Sequence, residues 1–266
     1  MVTFDFPPVN WKKRGYFEFL DSRPDSTLSP GWAQWLAVLR QATTGDFSEL
    51  PDLINLARTS NDLVLVQSCY YLLGDAGGST VAALVRSEAM NTDDFDLMLE
   101  CCDAIVTRGW LADVPILLEL YTRNVTENEA SIIKVFISDC VTQRPGELPD
   151  PSDHSVLPDF REAVMARYRQ LAEELGTTEV PVFKAKRFGL RSMAGWLLSQ
   201  VHRPHFRMSW RRKFEVTTGI ECTSFYESAR FQPLTAAAII EQFIESPEAK
   251  NYTDGVRYFF GHRIPD

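Results

Sequence analysis

The feature that most constrains this chain is a repeat. Slid by 32 residues, SNDLVLVQSCYYLLGDAG from Ser60 falls on TDDFDLMLECCDAIVTRG from Thr92. Asp62 then matches Asp94, Leu65 matches Leu97, Cys69 matches Cys101, Leu73 matches Ile105 and Gly77 matches Gly109. The register holds into the next helices, where Leu84 meets Ile116 and Val85 meets Leu117. A third unit, TENEASIIKVFISDCVTQRPG, follows at an offset of 36, with Ile133, Ile137 and Val141 where the second has Leu97, Cys101 and Ile105. Each unit predicts a long helix, a glycine stop and a shorter helix. Such a pair has one apolar face more than it can bury, so successive pairs must stack, and the expected fold is an all-α solenoid.

LLGDAGG followed by STVAALVRS resembles a short HEAT-like repeat, a likeness that runs over residues 46–145. It implies stacked helix pairs with an extended surface for a protein or nucleic-acid partner. The periodicity predicts an N-terminal arm over residues 1–30, repeats over 31–145, a proline-rich linker over 146–158 and a C-terminal helical capping region over 159–266. Ser29-Pro30 opens a helix carrying Trp32, Trp35, Leu36 and Leu39 on one face. Residues 46–57, 160–175, 190–202 and 233–246 read as further helices, and the best strand signal is Lys213–Thr217.

Charge divides the chain unevenly. The net charge is −9, yet residues 1–160 hold 11 Lys and Arg against 24 Asp and Glu, while the remainder holds 16 against 12. Residues 184–213 contain nine cations and no acid, interleaved with Phe183, Phe188, Trp196, Phe206 and Trp210. Cations among aromatics suit phosphate neutralisation with base stacking, so Arg207, Trp210, Arg211, Arg212 and Lys213 are candidate nucleic-acid contacts. The competing reading has these cations pairing with the acidic body or lying over the aromatics. The chain opens without a secretion leader and has no run of about 20 apolar residues, so the expected location is the cytoplasm. Five cysteines without a CxxC pair argue against a disulfide framework or a zinc site of ordinary spacing.

Catalytic patterns are sparse, and no catalytic residue, metal or cofactor is expected. His202 and His205 would need a third ligand, and Pro204 between them opposes presentation on one helix face. Cys222 could act as a nucleophile only if the fold brought His202, His205 or His262 to it. Asp93 and Asp94 stand where carboxylates cap a helix start. With Asp96, Glu100 and Asp103 they make the acidic face nominated here for a partner. GDAGGST lacks the lysine of a phosphate loop and reads as a turn.

A last resemblance lies near the C-terminus. WRRKFEVTTGIECTSFY, an amphipathic helix and then NYTDGVRYFFGHRIP resemble the closing segment of immunity proteins from bacterial polymorphic-toxin systems. This implies a non-enzymatic, cytosolic protein-binding module that neutralises one toxin, and an acidic surface would suit a basic toxin domain. The alternative is a nucleic-acid-binding solenoid using residues 184–213; no membrane partner is expected. The tail GVRYFFGHRIPD reads as a cap, with Tyr258, Phe259 and Phe260 sealing one end of the stack and Arg257, His262 and Arg263 around it as a polar rim.

Overall fold

A computed structural model describes residues 15–20, 28–124, 130–144, 146–150, 156–203, 206, 208–227 and 230–265. The chain is mostly helical with little strand. The helices are α1 (Phe17–Leu20), α2 (Pro30–Thr43), α3 (Asp52–Thr59), α4 (Leu63–Ala76), α5 (Ser79–Asn91), α6 (Phe95–Arg108), α7 (Val114–Arg123), α8 (Ala130–Val141), α9 (Leu157–Leu175), α10 (Leu190–Gln200), α11 (Met208–Thr218) and α12 (Pro233–Glu245). Three two-residue hairpins complete the order: β1 (Val182–Phe183) with β2 (Lys186–Arg187), β3 (Tyr226–Glu227) with β4 (Arg230–Phe231), and β5 (Tyr258–Phe259) with β6 (His262–Arg263).

The repeated residues have repeated roles. Asp62 and Asp94 each cap a helix, accepting from the amides of Val64 and Leu65 in α4 and of Asp96 and Leu97 in α6. Each capping residue is itself held by a hydroxyl two positions earlier, Ser60 for Asp62 at 3.0 Å and Thr92 for Asp94 at 3.1 Å. Two orphan amides per helix start are thereby satisfied, and the chain is fixed at the same entry angle twice. At the other end Gly109 adopts φ 70°, which glycine reaches without strain, and its amide closes α6 on Ile105. Gly74 acts by size: a Cβ there would lie 2.8 Å from the Cα and carbonyl oxygen of Ala104, so α4 and α6 pack backbone to backbone.

Packing alternates along the chain. α2, α4, α6 and α8 touch in succession, and α5, α7 and α9 do the same beside them. Gln67 on α4 donates to Glu100 on α6 at 2.5 Å, so these two helices lie level. Their N-termini share one edge and their C-termini the other.

Two hydrophobic cores result. The first takes α1 to α9 and β1, and is joined by Val216, Phe259 and Ile264 from far along the chain; the second gathers Phe188, α10, Phe214, Cys222, Phe225 and α12. The prolines at 146–158 mark a break between helices but no break in the core, because α9 buries Phe160, Val164 and Leu171 beside the earlier helices. The change of core falls between Ala185 and Phe188 instead.

Lys213–Thr217, the best strand signal in the sequence, lies inside α11. Val216, Thr217 and Thr218 raise the strand signal. In the helix, however, the Thr217 and Thr218 hydroxyls bond back to the carbonyls of Lys213 and Phe214 at 2.6 and 2.7 Å, and Phe214 and Val216 are buried on different cores.

The C-terminal tail does more than cover an end. Phe260 and Gly261 both have positive φ, as a two-residue primed hairpin turn requires, and their amides donate to the Val216 and Thr217 carbonyls in the last turn of α11. Arg257 donates to the carbonyls of Gly77 at 2.6 Å and Asp75 at 2.9 Å, and also to Gly74, at the C-terminus of α4. One hairpin therefore caps two helices, and Phe259 packs between Tyr16 and Phe47 over the first helices of the stack. Arg257 thus sits on helix-end carbonyls and not in a rim, whereas His262 and Arg263 are exposed.

Candidate functional site

The cationic segment meets the helix stack where α4, α6 and α8 end. C-terminal carbonyls carry the negative end of the helix dipole, and Asp75, Asp103 and Asp139 stand near those ends. Positive charge is attracted there on both counts. Arg212 of α11 donates to Asp75 Oδ2 from Nε at 2.9 Å and from Nη2 at 2.7 Å, and its guanidinium lies 4.0 Å over the Tyr71 ring. Tyr16 donates to the same carboxylate oxygen at 2.8 Å. Asp75 is 3 % exposed, so this is a buried ion pair with a phenol attached.

The next two cations repeat the arrangement one helix at a time. Lys213 donates to the carbonyl of Thr107 near the end of α6, and Lys184 pairs with Asp139 on α8. Segment 178–185 lies across the same ends through backbone bonds from Leu111 to Val180, Val182 to Gly109 and Lys184 to Asp139.

A cavity of ≈ 230 Å³ opens at this junction. Phe136, Val106, Val182, Phe183 and Trp210 form its apolar wall, while Tyr71, Asp75, Asp103, Asp139, Arg212 and Lys213 supply the polar groups. The repeat explains part of this convergence. Tyr71, Asp103 and Asp139 occupy matching positions at the offsets of 32 and 36, so each helix of the row presents one side chain to the same space.

The electrostatics follow from burial. Burial pushes the Tyr16 phenol well above its usual range, with the Asp75 charge adding to it. Burial acts against the Arg212 cation, but Asp75 and Tyr16 outweigh it, and the guanidinium holds its proton more tightly than usual. Lys213 behaves oppositely: burial, then the neighbouring Arg257, bring its ammonium down to about 7. Among the described residues it pairs with no carboxylate.

The candidate residues are distributed as follows. Asp93, Asp94 and Asp96 are exposed at the N-terminal edge, and Asp94 is the α6 cap. Glu100 is half-buried against Gln67, and Asp103, one turn below, reaches the cavity. Of the cationic set, Trp210, Arg212 and Lys213 line that cavity. Arg211 is 2 % exposed and pairs with the buried Glu215 at 3.2 Å, a position from which it cannot meet a phosphate. Arg207 and His205 lie outside the described residues. Cys222 is fully buried, its sulfur near the Ile220 carbonyl at 3.3 Å, and burial raises its thiol, the reverse of nucleophile activation. His202 and His262 are exposed.

Sequence reasoning missed Tyr16, Tyr71, Asp75 and Asp139 in this site. The register that aligns 71, 103 and 139 could have found two of them. No family model matches the chain, and no curated protein or solved structure matches it. No helix among the described residues is long and apolar enough to cross a membrane.

Proposed function

We propose that this chain is a HEAT-like solenoid that works as a non-enzymatic protein-binding module, and that its partner docks on the edge formed by the N-termini of α4 and α6. One observation carries the reading: Leu63 is 78 % exposed at that edge, in a row with the carboxylates of Asp62, Asp93, Asp94 and Asp96. An exposed leucine on an edge that also carries exposed carboxylates has the composition of a docking patch for a basic surface with an apolar tip. At the opposite edge α11 and the tail hairpin already cover the ends of α4 and α6, which favours the N-terminal edge for a protein partner. The likeness of the C-terminal segment to immunity proteins makes a basic toxin domain the partner class, and a cytosolic inhibitor the biological form.

Charge also argues against a polyanion at α11. Arg211, Arg212 and Lys213 are engaged inside the fold, and the exposed cations of this segment among the described residues are Lys186, Arg187, Arg191 and Arg203. Affinity capture with quantitative mass spectrometry tests the reading. A basic protein retained by the native chain should be lost by Asp94→Lys with Asp96→Lys and weakened by Leu63→Asp. Equal capture by all three forms would refute it.

A further inference from the structure

The cavity at the C-terminal ends of α4, α6 and α8 has a chemistry that a docking module does not use. Its wall is built mainly of rings and aliphatic groups, from Phe136, Phe183, Trp210, Val106 and Val182. A charged ligand has no favoured sign there. Asp103 and Asp139 oppose an anion, Arg212 and Lys213 oppose a cation, and Lys184 already satisfies Asp139. One polar feature stays open to an occupant. Lys213 Nζ is held by the Thr107 carbonyl and lies 5.4 Å from the centre of the Phe188 ring, with no carboxylate partner among the described residues, so its lone pair, once unprotonated, is available to the cavity.

We infer that this cavity is a binding site for a small uncharged carbonyl compound with an apolar body and a hydroxyl group, held as an imine on Lys213. The Nζ lone pair attacks the carbonyl carbon, and the carbonyl π electrons move to oxygen, which takes the proton lost from nitrogen. The resulting carbinolamine expels its oxygen as water while the second nitrogen proton leaves, giving the C=N bond. No oxidant or reductant takes part, and hydrolysis reverses the step. The hydroxyl faces the polar side of the cavity at Tyr71 and Asp103, and the apolar body lies among Trp210, Phe183 and Phe136. The site is distinct from the edge at Leu63, so failure of either proposal leaves the other standing.

Amine reactivity in this enclosure is set by groups from every element around it. Arg257 of the tail and Arg212 of α11 itself disfavour the ammonium, while Asp75 of α4 and Cys140 of α8 favour it, with Asp103 of α6 and Asp139 of α8 on the same cavity wall. The probe is meta-hydroxybenzaldehyde with cyanoborohydride, which fixes an imine as a stable secondary amine; digestion and mass spectrometry then locate it. The expected result is one dominant adduct on Lys213, with a rate that rises to half its maximum near the pKa of about 7. Urea-unfolded protein should show no such preference, and Lys213→Met should leave the native protein without the dominant adduct. Modification spread over the exposed Lys186 and Lys250, with Lys213 unmodified, would overturn the proposal.

Discussion

Replacing Asp75 by alanine should unfasten the C-terminal region from the helix stack. The carboxylate is 3 % exposed and accepts three bonds, from Tyr16 and twice from Arg212, at 2.7 to 2.9 Å. Its removal leaves the Arg212 guanidinium buried without its counter-charge, which costs about 3–5 kcal/mol when one partner of a buried pair is lost. The Tyr16 hydroxyl loses its acceptor as well, a further cost of about 1–3 kcal/mol if no water replaces it. Against a total stability of roughly 5–15 kcal/mol this is a large fraction. Urea unfolding followed by tryptophan fluorescence reads the loss as a lower midpoint. A double variant, Asp75→Leu with Arg212→Met, removes both charges and should recover most of it, since an apolar pair of similar size carries no desolvation penalty. A loss below about 1 kcal/mol for Asp75→Ala, the figure of an exposed pair, would refute the reasoning. So would strict additivity of the two single variants.

Other expectations can be checked in the same assay. Gly74→Ala should destabilise by about 1–3 kcal/mol because its Cβ meets the Ala104 backbone, whereas Gly195→Ala in α10, with open space around it, should stabilise by about 0.5–1 kcal/mol. Phe259→Ala should cost about 3–5 kcal/mol. Deleting residues 255–266 should abolish cooperative melting, since the helix-capping bonds of α4 and α11 go with it; a truncated chain that melts normally would contradict the capping role. Lys213 gives a pH test. Its proton is bound less tightly in the folded chain, at about 7 against 10.5, so the folded state holds fewer protons in that window and stability rises with pH across it. Lys213→Met should remove that rise, and a variant with the native pH dependence would show that Lys213 does not cause it.

Much of the helical content was legible because its signals are local. An aspartate before an apolar run, preceded by a hydroxyl residue, specifies a helix start wherever it occurs, and Asp62 and Asp94 both obey. Gly109 reads as a stop for the same reason. Gly74 was less visible: its role depends on Ala104 in another helix, and nothing beside it in sequence announces a backbone contact. The tail was read by size, which placed Phe259 in a core, but its turn amides serve carbonyls of α11 and its arginine serves α4. Such partners are set by tertiary packing, and no local period encodes them. The strand signal at Lys213–Thr217 failed because hydroxyls bonding back along a helix satisfy the same β-branched residues that favour a sheet.

The site was only half legible for a related reason. Acidic and basic candidates looked like rival surfaces, yet Asp103, Trp210, Arg212 and Lys213 face one cavity. Charge counts along a chain report how many ions there are. They do not report that the C-terminal ends of α4, α6 and α8 take Lys184, Arg212 and Lys213 in particular.

Under the proposed function, partners are met by the acidic edge at Leu63 and not by the exposed cations Lys186 and Arg191. The most direct measurement is binding of a retained partner to the native chain, to Asp94→Lys with Asp96→Lys, and to Lys186→Glu with Arg191→Glu. Binding should be lost in the first variant and kept in the second. Retention in the first and loss in the second, or recovery of nucleic acid with a steep salt dependence in place of a protein, would contradict it.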